Sequence, residues 1–224
     1  MDSCTVGWIC ALPLEMAAAR AVLDEDRGRP LEQAVSDRYN YRLGRIGEHD
    51  VLIACLPAGV YGTTSAASVA VQMLASFPSI RIGLMVGIGG GVPSEEINLR
   101  LGDVVETAKK HPRMQQEFCR SPGAENDQLF EADYVHPPEN KTCASCDSTK
   151  LKDRPARAVD GPQVHYGLIA SANQVMKDGL TRDRLAKELG VICFEMEAAG
   201  LMDHFPCLVV RGICDYADSH KNKH

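Results

Sequence analysis

No apolar run in these 224 residues approaches the roughly 20 that a membrane-spanning helix needs, and the N-terminus opens on Asp2 rather than on a basic stretch followed by an apolar one. These absences predict a chain with no membrane partner and no secretory leader, working in the cytoplasm. Basic charge is not in excess either. The 24 lysines and arginines face 30 acids, for a net charge of -6, so the electrostatic footprint of a nucleic-acid binder is missing. No internal repeat, low-complexity block or linker divides the chain, and α/β domains run to about 250 residues, so a single domain over residues 1–224 is expected. Cysteine is not scarce, at nine residues. Cys10, Cys55, Cys193, Cys207 and Cys214 fall inside apolar strand-like runs, however, where a thiol behaves as a small hydrophobe, so a reducing compartment fits better than a disulfide framework.

Metal-binding patterns are also sparse. Cys143-Ala-Ser-Cys146 is a single CxxC with no second pair and only a distant His136, which predicts no metal.

The stretch that is informative runs from Val191 to Asp218. A short apolar run ends in Glu195 and Glu197, a helical stretch follows, and a second apolar run from Cys207 to Ile213 ends in Asp215 and Asp218. This predicts strand, helix, strand with acids at the carboxyl ends of both strands, where open α/β sheets bind their ligands. The rest of the chain supports that architecture. Thr5 to Ala11 reads as a buried strand, and Leu12-Pro13 leads into a helix over Leu14 to Asp24 with Glu15 in its first turn. A polar loop is expected over Asp26 to Asp37, then a β-hairpin from Tyr39–Ile46 and Val51–Leu56 around Gly47-Glu-His-Asp50. Thr63 or Thr64 is placed to cap a helix whose Ala66, Ala70, Met73 and Phe77 recur at helical spacing, closed by Pro78.

Ile80 to Ile88 reads as a strand, and Gly89-Gly-Gly91 as a turn or ligand loop after it, although the pattern is neither a Walker loop nor GxGxxG. Leu101 to Glu106 is a short strand, and from Thr107 to about Pro162 no periodicity is sustained. A strand is expected over Val164 to Ser171, then a helix from Arg182 to Leu189 capped by Thr181 and stopped by Gly190. Alternation of this kind predicts a three-layer α/β/α fold with a mixed, mainly parallel central sheet.

Four motifs, Cys-Ala-Leu-Pro-Leu-Glu15, Gly-Leu-Met-Val-Gly-Ile-Gly-Gly-Gly91, Phe-Glu-Met-Glu197 and Cys-Asp-Tyr-Ala-Asp218, together resemble the nucleoside phosphorylase/nucleosidase superfamily. Within it, the chain is most similar to fungal proteins that carry such a domain, often at the N-terminus of larger NTPase or repeat-containing receptors. The resemblance implies cleavage of a purine N-glycosidic bond without a cofactor, by a homo-oligomer. It makes Asp215 the acid at purine N7, gives Glu197 and the Met196 backbone the ribose hydroxyls, and sets Glu15 facing the attacking water. By the same resemblance Val175 and Met176 line the base pocket after Ser171 and Asn173, Gly89 and Gly90 lie beside sugar and base, and Glu195 adjoins the substrate, with helix capping as its bland alternative.

Phosphorylases of this superfamily hold phosphate with an arginine and a serine, and here the matching positions are Met85 and Ile88. A phosphate dianion needs fixed positive charge or several donors, so hydrolysis by water is expected over phosphorolysis. Adenosine, inosine, guanosine and ATP all remain open, with Arg45, Arg81 and Arg211 as unplaced candidates for a triphosphate. Against the family pattern the domain is expected to be shortened in the middle, about residues 107–128, and truncated at its C-terminus. The competing reading is therefore a degenerate nucleoside-binding or oligomerisation module.

Overall fold

The computed structural model describes residues 4–94, 96–106, 126–157 and 161–221. Most of the stretch expected to be shortened, and the last three residues, lie outside them. In chain order the elements are β1 (Val6–Cys10), α1 (Pro13–Ala21), β2 (Glu25–Gly28), β3 (Tyr41–Ile46), β4 (His49–Cys55), α2 (Thr63–Ser76), β5 (Ile82–Gly91), β6 (Val104–Glu106), β7 (Val164–Tyr166), β8 (Leu168–Ser171), α3 (Gly179–Leu189), β9 (Val191–Glu195) and β10 (Cys207–Asp215). Strands and helices alternate and the sheet is mixed and mainly parallel, as the sequence predicts.

The chain forms two compact units. The first comprises Met1–Gly87, Ser171–Gln174 and Met196–Val210; the second comprises Ile88–Ala170, Val175–Glu195 and Arg211–His224. In the first unit the strand order is β2-β3-β4-β1-β5-β10, with β1 parallel to β4 and β5 and the β3/β4 hairpin antiparallel. Alternate residues of β1 serve opposite faces. Val6, Trp8 and Cys10 pack with Ala19 of α1, whereas a Cβ at Gly7 would strike Met73 of α2. Helices therefore cover both faces of β1. The α2 stripe is the expected one: Ala66, Ala70 and Met73 are fully buried with Phe77 close behind.

Local details differ from expectation. The polar loop expected from Asp26 begins instead within β2, an antiparallel edge strand on β3, with Arg45 of β3 paired to its Glu25 and its Arg27 paired to Asp50 of β4. Its charged composition hides it from a hydrophobicity pattern. The stretch after Glu197 is not a helix but a single 3-10 turn, Ala198–Gly200. A side chain at Gly200 would strike the Thr63 backbone, so this turn packs against α2 more closely than a longer helix with ordinary residues could.

In the second unit β6 pairs with β10 on one side and parallel with β7 on the other, while β9 runs antiparallel to the end of β5 and pairs with β8. The core here gathers Leu99, Leu101, Val105, Leu129, Ile192, Cys193, Ile213 and Tyr216. The three glycines expected as a loop are strand residues: Gly90 and Gly91 stand opposite Phe194 and Cys193 of β9. The helix α3 begins three residues earlier than expected, because Asp178 rather than Thr181 caps it, accepting from the Thr181 amide at 2.7 Å.

Candidate active site

Pro13 is the first residue of α1, where its missing N–H costs nothing, and this start sets Glu15 in the first turn. One carboxylate oxygen of Glu15 accepts from the amides of Ala11 and Leu12 at 2.7 and 2.9 Å, so the side chain caps its own helix. The same carboxylate lies over β5. A Cβ on Gly87 would collide with it, which makes Gly87 the residue that admits the acid to the strand. Within its motif nothing in the sequence marks Gly87 for this role.

Glu197 is the second candidate acid in the first unit and is buried. It accepts from the amides of Gly62 and Met196, each at 3.3 Å. The frame around it is built by two residues expected to touch substrate. Asn173 Oδ1 accepts from the Thr63 amide at 2.8 Å and from the Thr63 hydroxyl at 3.0 Å, capping α2 from outside because the residue at its own cap, Gly62, has no side chain. Gly62 sits at φ 100, and a Cβ there would also run into Asn173. Ser171 Oγ accepts from the Ala199 amide at 3.1 Å. Ser171, Asn173, Met196 and Glu197 are thus brought together, with two of them fixing backbone that holds the carboxylate.

The second unit holds Asp215 at the end of β10. Its Oδ1 accepts from the Ala217 amide at 2.8 Å, and its Oδ2 receives the Lys221 ammonium at 3.2 Å and the Cys214 thiol at 3.4 Å. A Cβ on Gly90 would meet Asp215 Oδ1 and Ala217, so the strand comes this close only because Gly90 is bare. Gly89 is confined in the same way by Cys193 and Arg211. Burial, then the neighbouring carboxylate of Asp215, pushes the Cys214 thiol up to about 12. In the sequence nothing marks Lys221 as a partner of Asp215, since a spacing of six carries no periodic signal.

Glu195 forms a buried ion pair with Arg211. Arg211 is correspondingly unsuited to a triphosphate, being enclosed with its acid. Asp218, the last acid of the informative stretch, accepts from the His220 amide at 2.8 Å and lies 3.5 Å from the buried guanidinium of Arg182, which also donates to the Tyr216 carbonyl. Val175 and Met176 lie in the irregular segment before α3, Val175 at its surface.

The expectation of no metal rested on His136 being distant from the CxxC. In space it is not: one ligand atom each from His136, Cys143 and Cys146 lie within 4.8 Å of one another. A turn closed by Asn140 on Pro137 folds the chain back between them.

Comparison with known proteins bears on this geometry. The family model for the phosphorylase superfamily matches residues 5–224. A nucleotide-binding leucine-rich repeat (NLR)-like protein of Hyaloscypha variabilis is 40% identical over 98% of this chain, which spans only 27% of that relative's length. A 5'-methylthioadenosine/S-adenosylhomocysteine nucleosidase of Mycobacterium bovis is 27% identical, covering 95% of this chain and 86% of its own. Among solved structures, futalosine hydrolase of Helicobacter pylori superposes with a TM-score of 0.61 at 17% identity, over 98% of this chain and 88% of its own, a likeness of fold.

Proposed function

Because this chain belongs to the phosphorylase superfamily, we propose that it hydrolyses the N-glycosidic bond of a purine nucleoside or nucleotide, releasing free base and sugar. Breaking that bond builds positive charge on the ribose ring and negative charge on the departing base. In this reading Asp215 protonates the base at N7, Glu197 and the Met196 backbone hold the ribose hydroxyls, and Glu15 orients or deprotonates water. Positioned acid and base help of this kind contributes about 10²–10⁴-fold each. Val175, Met176, Gly89 and Gly90 border the substrate, whereas Ser171, Asn173 and Glu195 act by holding the frame. A cytoplasmic homo-oligomer that uses no cofactor completes the reading.

The observation that carries hydrolysis over phosphorolysis is the apolar pair Met85 and Ile88 in β5, at the positions where related phosphorylases bind phosphate. Met85 is buried and Ile88 exposed, and neither side chain offers charge or a donor to a dianion. The nucleosidase relative supports the same choice of reaction.

The test is to incubate the purified chain with adenosine, inosine, guanosine, methylthioadenosine and ATP, with and without inorganic phosphate, and to separate base and sugar by chromatography. Base with free ribose or its 5'-substituted form, independent of phosphate, is the expected result. Ribose 1-phosphate formed only with phosphate would overturn the hydrolytic assignment, and no base from any substrate would overturn the enzyme.

A further inference from the structure

We propose that His136, Cys143 and Cys146 form a structural zinc site. All three belong to the second unit, and none takes part in the proposed chemistry. The two cysteines flank a 3-10 turn, with the Cys146 amide donating to the Cys143 carbonyl at 3.0 Å. Residues three apart in such a turn project from the same side, so the CxxC presents both sulfurs to one point.

The imidazole of His136 meets them there. His136 is about nine-tenths buried, and its Nε2 is buried with no hydrogen-bond partner among the described residues. A buried polar nitrogen left unsatisfied is costly, and a metal ion beside it removes that cost. In a tetrahedral zinc site the ligand atoms stand about 3.3–3.8 Å apart, from Zn–S near 2.3 Å and Zn–N near 2.0–2.1 Å. Donor atoms already gathered within 4.8 Å need only small side-chain rotations to reach that spacing.

The donor set selects the ion. Two thiolates and an imidazole are soft and borderline ligands that suit zinc and do not suit calcium or magnesium. Binding releases the two thiol protons to solvent, and the Cys143 thiol gives up its donation to the His220 carbonyl at 3.5 Å. His220 flanks the group. Its buried ring lies 5.5 Å from that of His136; its Nδ1 faces the Asp218 carboxylate at 3.7 Å, and its Nε2, without a hydrogen-bond partner among the described residues, or a water, would take the fourth position.

The placement gives such an ion a purpose. Between residues 126 and 157 the described chain holds only two 3-10 turns and one isolated bridge, Phe130 with Leu151. The His136 amide already donates to Ser219 Oγ at 2.9 Å. Zinc on His136, Cys143 and Cys146 would fasten this irregular segment beside Ser219–Lys221, the turn that delivers Lys221 to Asp215. Folding energy would thus come from the metal where regular structure is scarce.

The experiment uses the full chain, expressed with zinc in the medium and purified under reducing conditions without chelator. Zinc is measured against protein by elemental mass spectrometry after dialysis, and the chain is separately titrated with Co²⁺ alone. The expected result is about one zinc per chain, with a thiolate-to-cobalt charge-transfer band on titration. Cys143→Ser and Cys146→Ser should lose the band and the zinc, and His136→Gln should weaken Co²⁺ binding at least about tenfold. Should the cysteine variants fail to fold, the stoichiometry and cobalt spectrum of the unaltered chain decide alone. A folded chain with less than about a tenth of an equivalent of zinc and no cobalt band would overturn the site. So would full zinc in the folded Cys143→Ser variant.

Discussion

Lys221 reaches back six residues to place its ammonium 3.2 Å from Oδ2 of Asp215, while Oδ1 of the same carboxylate is held by the Ala217 amide. Both oxygens are therefore oriented before any substrate arrives, one by charge and one by backbone. Ala217 makes this possible by adopting φ 53, a left-handed conformation that turns the chain after the strand. Lys221→Met should lower kcat by about ten- to a hundredfold by releasing Asp215 from that orientation, with Lys221→Arg recovering part of it. The check is a comparison of kcat and KM for base release; a change confined to KM would count against orientation.

Asp215→Asn keeps an oxygen to accept from Ala217, so the turn should survive while the proton donor is lost. Base release is expected to fall by about 10²–10⁴-fold with little change in thermal midpoint. Undiminished turnover in the folded variant would remove Asp215 from the mechanism.

Glu15 performs a capping function that can be separated from any catalytic one. Glu15→Ala should lower stability by about 1 kcal/mol, since two amides at the start of α1 lose their acceptor. Glu15→Gln retains an acceptor oxygen and should melt close to the unaltered protein while losing base release. Equal melting losses in both variants would show that the charge, not the acceptor, holds the helix.

Asp103 is fully buried in the second unit, where it accepts from Arg157, His165 and the amides of Gln163 and Arg100. Burial pushes its carboxyl up, but these bonds outweigh it and hold the group well below the usual carboxylate range. A depressed folded value stabilises the protein above the unfolded value, about 3.9, and that contribution is lost as pH falls through the folded one. Asp103→Asn should cost about 3–5 kcal/mol at neutral pH by leaving Arg157 uncompensated. Urea midpoints of the two proteins should converge below about pH 4, and a constant gap down to pH 2 would be the contrary result.

The Cys214 thiol, pushed up to about 12, should resist iodoacetamide at pH 8 in the folded protein. Asp215→Asn removes the second cause of that shift and should raise the labelling rate. Peptide mass spectrometry after brief alkylation reads both, and rapid labelling of Cys214 in the unaltered chain would contradict the buried, carboxylate-facing environment.

Hydrophobic periodicity made β1, α2, β5, β9 and β10 legible in the sequence, because each buries a continuous run or stripe. It could not show β2, whose four residues are mostly charged and gain their place by pairing on an edge. Nor could it show that Ala198–Gly200 stops after one turn, which depends on how closely Gly200 approaches Thr63. At the candidate site the acids stood out as residue types at strand ends. Their partners did not: Lys221 for Asp215, Arg211 for Glu195, and Asn173 as a cap for α2 are all set by tertiary approach across 6, 16 and 110 positions. His136 is the plainest case, since it lies seven positions before Cys143 in sequence while a turn brings the donors together.

The cap on α1 has an evolutionary corollary. Under the proposed mechanism Glu15 would be retained by two pressures at once, because a descendant that stopped turning over substrate would still lose a helix start by discarding it. Its survival in a lineage is therefore weak testimony to activity. Asp215, whose carboxylate caps no helix, is the residue whose drift to a neutral side chain would mark the moment the chemistry lapsed.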